Sequence, residues 1–142
     1  MTKEEMSMED ADLNPVLTEQ LQSVLDRFDK LYGILVSTVE GVPLLKVTRE
    51  QNGLSSYEYA ETVLPTVFAG AAEQIGKLKF GQVKSITSFF GDLVLLHVND
   101  MPLVLTLVTG DSSQLGVLQV VAMQLRDALY PLKRSVESAD VH

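Results

Sequence analysis

Two hydrophobic periods alternate along this chain. Leu17, Leu21, Val24, Leu25 and Phe28 recur at i, i+4, i+7, i+8 and i+11, one face of a helix. Asn14 and Pro15 precede them, a capping residue and a first-turn proline, so the helix is expected from there to about Lys30. Leu31–Thr38 and Val42–Thr48 then read as strands, joined by a tight turn at Thr38–Gly41 where glycine supplies a positive φ. Both runs are apolar on successive residues, which predicts a sheet covered on both faces. Arg49–Tyr59 reads as a polar loop.

The helical period returns at Leu64, Val67, Phe68, Ala71, Ala72, Ile75 and Leu78. A start near Thr62 would put Pro65 in the first turn. Gly70, Ala71, Ala72 and Gly76 make part of this helix small. A helical glycine costs about 1 kcal/mol relative to alanine, so two of them suggest close approach by another backbone. That backbone belongs either to the same sheet or to a second subunit. Val83–Phe90, Leu93–Val98 and Leu103–Val108 read as three strands whose short turns imply antiparallel neighbours. The last helix carries Leu115, Leu118, Ala122, Leu125, Leu129 and Leu132. Its cap falls among Asp111, Ser112 and Ser113, and Pro131 should kink or break it near its end. The expected order is α-β-β-α-β-β-β-α, an α/β (α+β) fold with a mostly antiparallel five-stranded sheet. One middle helix covers one face and the two terminal helices the other. Residues 1–13 read as a disordered acidic arm, 14–135 as the domain and 136–142 as a flexible tail.

Composition narrows the function classes. A length of 142 residues suits one domain. The net charge of −8 argues against a nucleic-acid partner, because phosphate binding draws on clustered Lys and Arg. With no Cys there are no disulfides, thiolate metal sites or lipid-modified cysteines. The acidic N-terminus is unlike a signal peptide and residue 2 is Thr, so membrane association is expected only through a partner. His97 sits in a strand pattern and reads as structural, with no second ligand at metal spacing. The loop Thr109-Gly110-Asp111-Ser112-Ser113 lacks the lysine and second glycine of a phosphate-binding loop. No nucleophile elbow occurs. The expectation is a protein that is not an enzyme and has no cofactor. Lys77, Lys79 and Lys84 form a basic edge in an acidic chain, either a solvated rim or a docking edge for an acidic partner.

The residues Glu40-Gly41-Val42-Pro43-Leu44-Leu45-Lys46-Val47, Gly76-Lys77-Leu78, Lys84-Ser85-Ile86, Pro102-Leu103-Val104 and Pro131-Leu132 resemble the roadblock family. Within it they are similar to the family of the MEK-partner scaffold subunit of the Ragulator late endosomal and lysosomal adaptor complex. The resemblance spans roughly residues 17–137. It implies strand order 2-1-5-4-3 and a heterodimer with a second roadblock-type subunit. The implied interface is the middle helix and third strand: Leu64, Val67, Phe68, Gly70, Ala71, Gln74, Ile75, Ser85, Ile86, Thr87 and Ser88. It further implies a lipidated wrapping subunit, Rag GTPases and MEK/ERK kinases as partners, in TOR and MAP kinase signalling. The implied place is the cytoplasmic face of late endosomes and lysosomes, or otherwise the cytosol. Elsewhere in the family stand a homodimeric GTPase regulator and a dynein-type light chain, the competing expectations.

Overall fold

The computed structural model describes residues 8–49 and 57–140, with side chains for 14–49 and 65–139. The elements are α1 (Met8–Arg27), β1 (Leu31–Thr38), β2 (Pro43–Thr48), α2 (Tyr57–Gly76), β3 (Ser85–Phe89), β4 (Val94–Asp100), β5 (Leu103–Thr109), a short 3-10 turn (Ser112–Gln114), α3 (Leu115–Ala128) and α4 (Tyr130–Asp140). The five strands form one sheet in the order β2-β1-β5-β4-β3, every neighbouring pair antiparallel.

Period-two alternation divides the sheet residues between two unlike cores. Ile34, Val36, Leu45, Val47, Leu96, Val98, Leu103, Leu105 and Leu107 pack against Leu17, Leu21 and Leu25 of α1 and Leu118, Val121, Ala122 and Leu125 of α3. The opposite face is smaller and more polar. There Leu35, Ser37, Leu95, His97, Val104, Thr106 and Val108 are buried, and α2 contributes Phe68, only 2% exposed. The Phe68 and His97 rings lie 5.9 Å apart. His97 Nδ1 lies 3.0 Å from the Thr106 hydroxyl, and burial lowers its pKa to about 4, so the ring is neutral.

The hairpin turn forms as expected. Gly41 has φ 93°, and its N–H donates to the Thr38 carbonyl. A Cβ at Gly110 would meet the Tyr32 hydroxyl at 2.5 Å, so a larger residue there requires the Tyr32 side chain to shift. Arg49, just past β2, donates to the carbonyls of Leu25, Phe28 and Leu31, which gathers the end of α1 and the start of β1.

Three boundaries differ from expectation. α1 begins at Met8, so residues 8–13 of the supposed arm are helical and Pro15 lies inside the helix. α2 begins at Tyr57 and likewise runs through Pro65. Proline's fixed φ is itself helical, so each ring removes one backbone bond without ending the helix. At the other terminus the chain breaks at Leu129, and α4 continues to Asp140 with Pro131 in its first turn. Val136 extends the Leu129–Leu132 stripe onto the core, which holds residues 136–140 in a helix instead of a loose tail. Residues 1–7, most of the Arg49–Tyr59 loop and residues 141–142 lie outside the described residues.

A candidate protein interface on α2 and β3

α2 is 20 residues long, about 30 Å, but only its first part meets the sheet. Pro65 and Phe68 are buried; from Glu73 onward every residue of the helix is exposed. The expected apolar stripe is therefore split. Phe68 turns inward onto His97 and is buried within this chain. Val67 and Ile75 turn outward, 55% and 45% exposed, on the same side as half-buried Ala71. Gly70 lies beside them, and a Cβ built there meets nothing within 4 Å. Packing among the described residues gives no reason for a glycine at 70. Gln74 is exposed, and the Leu64 side chain lies outside the described residues.

β3 forms one border of the sheet. Ile86 and Ser88 pair with His97 and Leu95 and share the α2 face, whereas Ser85 and Thr87 pair with Val98 and Leu96 and share the other. None of the five strand residues is fully buried. One row of its backbone N–H and C=O groups has no strand beside it, a template for another chain. The lead-in to β3 is fixed by Asn99, whose amide donates to the Val83 carbonyl at 2.7 Å and whose backbone N–H donates to the Lys84 carbonyl at 2.8 Å. Val67, Gly70, Gln74 and Ile75 are thus exposed on α2 with Ala71 half-buried among them, and Ile86 and Ser88 of β3 share the sheet face that α2 covers. Lys77, Lys79 and Lys84 are all exposed at the α2–β3 connection. Sequence reasoning missed Phe80, Phe89 and Phe90 as exposed apolar residues. Their signal was large apolar side chains next to glycine, outside the helical stripe.

A second polar cluster lies at the α3–α4 break. A cavity of about 330 Å³ is lined by Asp100, Arg126, Asp127, Tyr130 and Lys133. The Asp100 side chain is 5% exposed; its Oδ1 lies 3.4 Å from Lys133 Nζ and 3.5 Å from Arg126 Nε. Burial raises the Asp100 pKa, and Lys133 and Arg126 only partly oppose it. The cluster carries as many carboxylates as cations and ties the β4–β5 turn to the last two helices, a fastening role. Among the described residues no group of three or more His, Cys, Asp or Glu could hold a metal ion. No described helix is long and apolar enough to cross a membrane.

The architecture is that of a roadblock domain. It superimposes on MglB in a tetrameric arrangement with TM-score 0.71 at 16% identity, over 87% of this chain and 91% of that one. A Roadblock/LC7 domain from Streptomyces avermitilis matches with TM-score 0.54 at 11% identity, over 88% and 98%. Within that class, the family described as mitogen-activated protein kinase kinase 1 interacting matches residues 16–139, and the chain belongs to it. A Ragulator complex protein LAMTOR3 homolog from Drosophila melanogaster is 29% identical over 123 residues, 87% of this chain and 97% of that protein. The Dictyostelium discoideum homolog is 28% identical over 116 residues, 82% and 86%.

Proposed function

We propose that this chain is a non-catalytic adaptor subunit that pairs with a second roadblock-type subunit through α2 and β3. The observation that carries the reading is the presence of two unfilled features on successive elements. β3 has an open backbone edge, and α2 carries outward Val67 and Ile75 around a glycine that no described neighbour requires. An added strand would satisfy the edge, and a partner helix could approach at Gly70.

The relatives named as Ragulator subunits support placing the pair in a Ragulator-like assembly on late endosomes and lysosomes. In that reading a lipidated subunit holds the pair on the cytoplasmic face, and Rag GTPases bind there in support of TOR signalling. The family description supports contact with a mitogen-activated protein kinase kinase, and the reading extends that contact to the MEK/ERK pathway.

Co-expression with a candidate second roadblock subunit tests the pairing. The expected result is a one-to-one complex by size exclusion with light scattering, and poor solubility of the chain alone. A stable, monodisperse monomer that ignores the second subunit would sink the reading. A clean homodimer that accelerates a GTPase would replace it with the regulator class.

A further inference from the structure

The connection between α2 and β3 is shaped to meet a surface, not a groove. Three consecutive turn bonds close the helix end: Lys77, Leu78 and Lys79 donate to the carbonyls of Gln74, Ile75 and Gly76. Lys79 then adopts φ 61° and Gly81 φ 110°, two left-handed residues on either side of Phe80. Phe80 is 89% exposed, Leu78 is also exposed, and every residue from 77 to 82 faces solvent. Asn99 pins the far end through Val83 and Lys84. The result is an ordered convex tip with an aromatic apex. Three of the eleven basic residues sit within 77–84, and no acid lies among them, in a chain of net charge −8.

We infer that this tip docks on an anionic lipid surface, with Phe80 and Leu78 entering the headgroup region and Lys77, Lys79 and Lys84 lying over the lipid phosphates. Lysines beside anionic lipids favour partitioning by about fivefold each, and their long stems let apolar neighbours sink while the ammonium stays wet. A convex apex needs no preformed pocket in a fluid headgroup layer, whereas a folded acidic partner would have to supply one for Phe80. The acidic remainder of the chain is repelled from the same surface, so the tip also sets orientation. This inference does not rest on the subunit-pairing reading.

The chain contains no Trp, so Phe80→Trp in the full-length protein makes a unique fluorescent reporter. Vesicles containing about one-third phosphatidylserine should shift its emission to the blue, and pure phosphatidylcholine vesicles should not. Raising the ionic strength toward 1 M, where the Debye length is about 3 Å, should reverse the shift. The triple change Lys77→Glu, Lys79→Glu and Lys84→Glu should reduce vesicle partitioning by at least tenfold (three lysines at about fivefold each). Phe89→Trp, at the other end of β3, should stay unshifted. The proposal falls if Phe89→Trp shifts equally, or if polyglutamate shifts the Phe80 reporter and vesicles do not. It also falls if pairing with a second subunit abolishes the vesicle response, which would assign the tip to the subunit contact.

Discussion

The sheet has two borders, and the chain treats them differently. β2 begins with Pro43, presents Lys46 outward and lies under α1, with Leu45 and Val47 buried against the helix. β3 reads Ser-Ile-Thr-Ser-Phe, without a charge or a proline, and no residue of it is fully buried. Natural sheets blunt free edges with charge, proline or a covering helix, because an open edge recruits other chains. One border carries all three devices and the other none. The unprotected border follows α2 in the chain, and that helix carries outward apolar residues and an open glycine at 70. The difference marks β3, and not β2, as the border chemically suited to take an added strand.

The strongest way to break this contrast is a charge in the open edge. Ile86→Asp should weaken pairing with a second subunit by more than about 100-fold, since it would bury an unpaired carboxylate. Gly70→Leu should act alike by blocking helix approach. If titration by light scattering showed both variants pairing normally, the edge would have another purpose. Next in size is Phe68→Ala, which empties the centre of the α2 face. It should cost about 3–5 kcal/mol in chemical denaturation of the paired protein.

Acid should also tell the borders apart. His97 has its pKa lowered to about 4 by burial, so the folded state resists the proton that the unfolded state accepts below about 6.5. Its contribution is fully present above that value. It is lost as pH falls toward 4, by about 1.4 kcal/mol per unit and roughly 3 kcal/mol in all. His97→Gln should flatten this part of the stability profile. Because His97 pairs with Ile86, amide exchange should rise in β3 before β2 as the pH drops.

A smaller effect separates folding from association. Gly70→Ala should stabilise the isolated chain by about 0.5–1 kcal/mol, since the space is open, yet weaken pairing. The smallest expected change is at the closed border. Lys46→Ile removes one guard from β2 and should raise self-association at high concentration, measured by light scattering, with little change in melting temperature.

Strand positions and their order of appearance were legible in the sequence, because continuous apolar runs bounded by Gly, Asn and Asp have few other readings. The helix limits were less so. Both Pro15 and Pro65 look like first-turn residues by local rule, yet each lies within a helix that starts seven or eight residues earlier. Helicity at Val136 depends on contact with a core assembled from distant segments, which no local window contains. The candidate interface could be set out from the sequence as a patch of residues on α2 and β3. The helical stripe could not say that Phe68 turns inward while Val67 and Ile75 turn out, because that depends on where a 20-residue helix leaves a smaller sheet. The polar filling of the α2 face, His97 with Thr106, was invisible until the register placed them opposite each other.

The pairing of β1 with the central strand β5 carries a consequence for the life of the chain during synthesis. β1 pairs with β5, joining residues 31–38 to 103–109, so the sheet closes only when most of the polypeptide has been made. β3, β4 and β5 form a meander of neighbours that can zip locally, and long-range pairing of this kind is slow. By contact order, the β3 border is expected to form ahead of the long-range β1–β5 pairing. A partner already present at the ribosome would meet the recruiting edge early, and cells that stagger production of the two chains should lose this one to aggregation or degradation.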